Sequence, residues 1–219
     1  MILELKDVHA YYGDSHVLFG MNVQVDQNDS VCLLGRNGAG KTTTLKSIMG
    51  MLVPAAKCRT TGSILFDGQE ICGKPTYKIA KAGMGYVPQG RHIFANLTTK
   101  ENLEIAERKN VDGSQYWTME RIFELFPRLK ERINFMGGSL SGGEQQMLAV
   151  ARGLMENPKL LLLDEITEGL APIIVDELVE VISELRRQKV TILVAEQNYK
   201  FALKVSNNCC ILEKGKVVY

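Results

Sequence analysis

The sequence predicts a mixed α/β fold organised around a parallel sheet, on three observations. First, the apolar runs Val31-Cys32-Leu33-Leu34, Leu160-Leu161-Leu162-Leu163 and Val190-Thr191-Ile192-Leu193-Val194 are of the kind found in parallel strands covered on both faces. Second, the first of these runs enters a glycine-rich segment, Gly35-Arg36-Asn37-Gly38-Ala39-Gly40-Lys41-Thr42, and helical spacing follows over residues 42–51. The loop is therefore expected between a buried strand and a helix N-terminus. Third, residues 97–134 carry Leu103, Ile105 and Ala106, then Ile122, Phe123, Leu125, Phe126 and Leu129 at helical intervals, as in a small helical insert.

The remaining elements follow in chain order. Ile2, Leu3, Leu5 and Val8, then Val23 and Val25, alternate with polar residues, which suits antiparallel strands with one face on a core; Gly13-Asp14 and Asn28-Asp29 are the turns. Asn110-Val111-Asp112-Gly113-Ser114 reads as a turn between helices of the insert. Pro172 signals the start of an amphipathic helix with Ile173, Ile174, Val179, Ile182 and Leu185 on its apolar side. The segment from Cys210 to Val218 reads as a hairpin turning at Gly215.

Composition narrows the function classes. A chain of 219 residues, 45% hydrophobic, is long enough for a sizeable core. Its 26 basic and 25 acidic residues nearly cancel, which removes the broad electrostatic case for nucleic acid as a partner. No stretch approaches the roughly 18 apolar residues that cross a bilayer, so membrane association is expected only through a partner. Met1-Ile2-Leu3-Glu4 opens without a charged leader and apolar run, and a cytosolic location is expected. Cys32, Cys58, Cys72, Cys209 and Cys210 lack metal-binding spacing and read as free thiols.

Several segments carry chemistry. Gly35 to Thr42 fits GxxxxGK[ST], in which consecutive backbone N–H groups wrap the α- and β-phosphates of a nucleotide and the lysine reaches the β- and γ-phosphates. Gly35, Asn37, Gly38, Ala39, Gly40, Lys41, Thr42 and Thr43 are the expected phosphate-binding residues, with the Thr42 hydroxyl on Mg²⁺ and Thr43 near the α-phosphate. Leu160 to Asp164 delivers a carboxylate to a sheet edge for Mg²⁺, and Glu165 follows as the expected catalytic carboxylate that polarises the attacking water. In Leu140-Ser141-Gly142-Gly143-Glu144-Gln145, Ser141 is a good N-cap, the paired glycines permit close approach to a phosphate, and the helix dipole points at an anion.

These segments, with Val87-Pro88-Gln89 between them, stand in an order that resembles the ATP-binding subunit of an ABC transporter. The resemblance implies one domain over residues 1–219. Within it, residues 1–96 and 146–219 would form a P-loop NTPase core with a parallel sheet and an N-terminal antiparallel β subdomain, and about 97–145 an inserted α-helical subdomain with the signature segment. It implies ATP and Mg²⁺ as cofactors and Gln89 as the glutamine that contacts metal and water. Tyr12 matches the aromatic that stacks on adenine, with Tyr11 as rival. Ser141, Gly142, Gly143 and Glu144 would face the γ-phosphate held by a second ATPase subunit, so a homodimer or heterodimer is implied. Implied too are transmembrane permease subunits, docked near Phe94 and Leu97 on the cytoplasmic face of the inner membrane, and a substrate-binding protein reached indirectly.

Some positions depart from the family's common pattern. Gln197 stands where most relatives carry a histidine on the γ-phosphate; it offers a neutral hydrogen bond without the charge of imidazolium. Ile166 and Ala171 stand where proline and aspartate are usual. Gly90-Arg91, Thr167 to Pro172 and Glu196-Gln197-Asn198 resemble the branch that serves branched-chain amino-acid uptake, with the urea-uptake ATPases as the neighbouring branch. The resemblance thus implies an ATPase energising uptake of branched-chain or other hydrophobic amino acids. A soluble ABC ATPase or a non-hydrolysing nucleotide-binding regulator is the other class to set against it.

Overall fold

The N-terminal alternation folds as an antiparallel sheet. In the computed structural model, which describes residues 1–53, 57–109 and 113–219, β1 (Leu3–Tyr12) pairs with β2 (Ser15–Val25) in a register that runs from Leu3 opposite Val25 to Tyr12 opposite Ser15, around the turn at Gly13-Asp14. β4 (Cys58–Phe66) covers the other edge of β1, and β5 (Gln69–Glu70) completes the order β2-β1-β4-β5. A simple period of two from Leu5 would turn Val8 outward. Asp7 instead takes a φ of 48° at a register shift, and this bulge absorbs one residue, so Val8 and Ala10 continue the buried face of Leu3 and Leu5.

The apolar runs form the second sheet: β3 (Ser30–Leu34), β6 (Met84–Val87), β7 (Leu160–Asp164), β8 (Ile192–Glu196) and β9 (Asn208–Glu213) are parallel, and β10 (Lys216–Val217) returns antiparallel to β9. Their order is β10-β9-β3-β8-β7-β6. Because successive strand residues point to opposite faces, each run feeds two cores. Val31, Leu33, Leu160, Leu162, Leu193 and Ala195 join the first core with α1 (Lys41–Ile48) and the antiparallel sheet. Cys32, Leu161, Leu163, Ile192 and Val194 join the second with α6 (Gly142–Met155), α7 (Pro172–Arg187) and α8 (Tyr199–Val205). At roughly 2 kcal/mol for each fully buried leucine, the four leucines of β7 alone bind both layers to the sheet.

Other helices connect these layers. α2 (Thr76–Lys81) precedes β6, and α3 (Thr99–Ala106), α4 (Met119–Leu125) and α5 (Pro127–Glu131) lie between β6 and α6. Leu103, Ile122 and Leu129 are fully buried among them and α6. Position 145, where the inserted part was expected to end, lies inside α6, so that helix runs on without a break into the second core. The helix expected over residues 42–51 is shorter, Lys41–Ile48; Gly50, at φ 65°, ends it just past the cap. As expected, Pro172 occupies the first turn of α7, and β9 and β10 turn at Gly215.

The turn expected at residues 110–114 falls partly outside the described residues, and its flanks are tied to Asn157. The Asn157 carboxamide oxygen accepts from the backbone N–H groups of Tyr116 (2.8 Å) and Trp117 (2.7 Å), and its amide donates to the carbonyls of Arg108 (2.9 Å) and Trp117 (3.2 Å). Its φ of 51° is one that asparagine tolerates better than most residues. Asn157→Ala leaves two N–H donors without their acceptor, and urea titration is expected to show a loss of about 2–4 kcal/mol, with altered Trp117 emission in the native baseline.

Candidate functional site

The carboxyl edge of the parallel sheet builds the site. Where β3 ends, the Gly35 N–H donates to the Glu196 carbonyl (3.2 Å) at the end of β8, and the chain turns over residues 35–40 into α1. The Ala39 N–H donates to Arg36 O (3.0 Å), and Ala39 O accepts from Gly215 N (2.9 Å), so the β9–β10 hairpin supports the loop from beneath. The Gly215 carbonyl also accepts from Phe19 N–H (2.9 Å), and a side chain at Gly215 would collide with Val17 O. Gly40 caps α1 at φ 105°, with Leu18 Cδ2 only 2.7 Å from where a Cβ would stand; a glycine is required for both reasons.

A cleft of about 250 Å³ opens beside this loop, lined by Val17, Asn37, Gly38, Gly40, Lys41, Thr42, Thr43, Gln89 and Glu165. Lys41 is buried; its ammonium donates to Gly35 O (2.9 Å) and Arg36 O (3.1 Å) and pairs with Glu165 Oε1 at 3.0 Å. The Thr42 hydroxyl donates to Asp164 Oδ1 (2.9 Å). Gln89, past the end of β6, donates to Glu168 Oε2 (2.6 Å) and lies 3.4 Å from Glu165 Oε2. Phosphate-binding loop, lysine and both carboxylates thus converge, and the donor set of Thr42, Asp164 and Gln89, all hard oxygens, fits Mg²⁺ that keeps waters and takes its other ligands from phosphates. The glycine loop and ammonium fit the phosphates themselves.

Burial pushes the Asp164 carboxyl above the ordinary carboxylate range, and the neighbouring Glu165 adds to this against hydrogen bonds from Thr42 and Tyr86. Tyr86 escapes the sequence motifs: its hydroxyl donates to Asp164 Oδ2 at 2.9 Å, and burial beside that carboxylate raises its own pKa. A tyrosine within a strand covered on both faces must find an acceptor for its hydroxyl, which is the signal that marks it. Glu165 is buried and takes a φ of 45°, where non-glycine residues are seldom found.

Other expected residues lie apart from the cleft. None of residues 141–144 lines it. Ser141 caps α6, its hydroxyl accepting from Glu144 N–H (3.3 Å) while the Glu144 carboxylate accepts from Ser141 N–H (2.8 Å). Arg91 follows Gly90, and both, with His92, have positive φ; the Arg91 guanidinium lies against Gly142, 2.9 Å from where a Cβ would project, and near Gln145 Oε1 at 3.5 Å. Sequence reading used Arg91 only as a branch marker and so missed this link between the Gln89 loop and α6. Gln197 is exposed beyond β8 and does not line the cleft. The Tyr11 ring is stacked on His16 (centroids 4.3 Å apart) with the Arg59 guanidinium 4.2 Å from its centre, whereas Tyr12 is 37% exposed.

Comparison with known proteins shows the family and the fold. The family model for the ABC transporter matches residues 18–168. The high-affinity branched-chain amino acid transport ATP-binding protein BraG of Pseudomonas aeruginosa is 43% identical over 217 residues, covering 99% of this chain and 91% of that protein. The lipopolysaccharide export system ATP-binding protein LptB of Escherichia coli is 34% identical over 218 residues, covering 99% and 88%. Among solved structures, a nucleotide-free ATP-binding cassette from an ABC transporter superposes with a TM-score of 0.83 at 25% identity, covering all of this chain (100%) and 90% of that one.

The cap of α6 is open to a stability test. Although partial burial pulls it upward, hydrogen bonds from the Ser141 backbone and hydroxyl and from Arg132 leave the Glu144 carboxyl below its ordinary value of 4.5. Its contribution is therefore present above that value and disappears as pH falls through the depressed one. Glu144→Ala is expected to cost about 1 kcal/mol at neutral pH in denaturant titrations, and the difference from the parent should vanish in acid.

Proposed function

This chain belongs to the ABC transporter family and is an ATPase of the cassette fold, and we propose that it energises uptake of branched-chain or other hydrophobic amino acids across the inner membrane. The observation that carries the amino-acid reading is the 43% identity to BraG over nearly the whole chain, against 34% to LptB. The segments Gly90-Arg91 and Glu196-Gln197-Asn198 support the same branch. LptB, an export protein, marks the second reading, in which the same engine serves a different permease.

In the proposed mechanism the loop from Gly35 to Thr43 holds the ATP phosphates and Tyr12 stacks on adenine. Lys41 trades the carbonyls of Gly35 and Arg36 and its pairing with Glu165 for phosphate oxygens. Glu165, released from the ammonium, orients the attacking water in line with the γ-phosphate, with Gln89 beside it. Thr42, Asp164 and Gln89 would hold Mg²⁺, which supplies neutralisation of charge on the β- and γ-phosphates. Gln197 would give the γ-phosphate a neutral hydrogen bond.

The α6 N-terminus, with Ser141, Gly142, Gly143 and Glu144, does not line the cleft of its own chain, which supports pairing with a second ATPase subunit whose nucleotide it would face. Permease subunits are proposed to dock beside Gln89, where Phe94 is 45% exposed with the Arg152 guanidinium 4.5 Å from its ring centre; this would hold the chain to the cytoplasmic face of the membrane. Leu103, by contrast, is core. No helix among the described residues is long and apolar enough to cross a membrane. A substrate-binding protein would act only through the permease.

Two measurements test this reading. Lys41→Ala is expected to abolish detectable Mg-ATP binding, and Glu165→Gln to retain binding while turnover falls by about a hundredfold or more; parental turnover in the latter would remove Glu165 from its assigned role. Affinity purification of tagged Glu165→Gln protein with Mg-ATP from detergent-solubilised cells should recover two multi-span permease subunits and a second ATPase, with amino-acid uptake lost when the chain is deleted. Recovery of export components, or of soluble proteins alone, would overturn the importer assignment.

A further inference from the structure

Glu196 is buried at the end of β8, next to the site, and does not line the cleft. Both of its carboxylate oxygens are engaged by one residue: Thr167 N–H donates to Oε1 at 3.0 Å and the Thr167 hydroxyl to Oε2 at 3.0 Å. The Asn198 backbone N–H bonds the same carboxylate. The Glu196 carbonyl meanwhile accepts from Gly35 N–H at the start of the phosphate loop. One residue therefore ties together the phosphate loop, the turn after β7 and the turn that carries Gln197.

The turn after β7 contains Glu165. Its backbone is fixed on one side by Glu165 N–H donating to Ala195 O (2.8 Å) and closes on itself through Glu168 N–H donating to Glu165 O (3.2 Å). Glu165 is held there at φ 45°, a conformation that a glutamate keeps only when its surroundings impose it. Thr167 is the next anchoring point along the chain, and its two donors end on Glu196. We propose that Glu196 is a positioning residue for ATP hydrolysis: by clamping Thr167 it holds Glu165 in the left-handed backbone conformation that aims its carboxylate into the cleft. Glu196 does not line the cleft and acts through Glu165, so this inference rests on the reading of Glu165 as the water-orienting carboxylate.

The clamp needs an acceptor for the Thr167 N–H and a polar partner for its hydroxyl. Glu196→Leu keeps the approximate volume and removes both, whereas a glutamine there could accept from the N–H and donate its NH₂ to the hydroxyl and so keep the clamp. Thr167→Val removes the hydroxyl arm from the other side without touching Glu196, and Thr167→Ser keeps it. A displaced carboxylate affects the chemical step, whereas the phosphate loop remains anchored through the Glu196 backbone, which neither substitution alters.

The test is steady-state ATPase kinetics with Mg-ATP affinity measured separately by a fluorescent nucleotide, on Glu196→Leu, Thr167→Val, the double variant and Thr167→Ser, with Glu165→Gln alongside. The expected result is a fall in kcat of about tenfold or more for each single variant with KM and nucleotide affinity within about twofold, a double variant no slower than either single, and parental kcat for Thr167→Ser. Parental kcat in both single variants, losses that multiply in the double, or a change confined to KM would overturn the clamp. If those variants are parental while Glu165→Gln is inactive, only the positioning role fails; if Glu165→Gln is itself fully active, the role of Glu165 and this inference fail together.

Discussion

Everything at the nucleotide cleft depends on the register of three parallel strands. Leu34 pairs with Glu196 and Asp164 with Ala195, so β3, β8 and β7 end level with one another. The phosphate loop, Glu165 and the Glu196 clamp all emerge from that common edge. A slip of one residue in any of the three would exchange its two core faces and carry its terminal residue to the wrong side of the sheet. The leucines of β7 specify against such a slip only weakly, since leucine sits on both faces; Cys32 between Val31 and Leu33, and Ala195 beside Val194, differ in size between faces and so add specificity.

That edge concentrates charge where there is little water. Lys41, Asp164, Glu165 and Glu196 are all buried, and three of the four are acidic. Each is paired or hydrogen-bonded: Lys41 to Glu165, Asp164 to Thr42 and Tyr86, Glu196 to Thr167. A buried ion pair seldom returns more than its desolvation costs, so this arrangement makes little sense as a stabilising device. It makes sense as a site with one cation against three carboxylates, a shortfall that the Mg²⁺ of the proposed function would offset. The burial that raises the Asp164 and Glu196 carboxyls acts in the same direction.

What was legible in the sequence was what period and motif encode. The apolar runs gave β3, β7 and β8, the GxxxxGK[ST] spacing marked Lys41 and Thr42, and the end of the β7 run marked Asp164. Ser141 was legible as a cap because its partner, Glu144, is three residues away. The contacts of Tyr86, Arg91 and Glu196 were not, nor was that of Gly215 beyond its place in a turn, because each acts through a partner remote in sequence: Asp164, Gly142, Thr167 and Ala39. The bulge at Asp7 was hidden for a different reason, since alternation looks intact on both sides of it. Tyr12 was preferred to Tyr11 by resemblance alone; in the structure the Tyr11 ring is stacked on His16 while Tyr12 is 37% exposed.

The support of Ala39 by Gly215 closes the phosphate loop with a residue made far later than the loop itself. During synthesis, residues 35–42 leave the ribosome early but lack that support until the β9–β10 hairpin has emerged and docked between the loop and β2. A nascent chain therefore carries the complete GxxxxGK[ST] sequence well before it has a finished cleft. Completion of the loop's support thus belongs to the last stages of folding during synthesis, after β9 and β10 have been made.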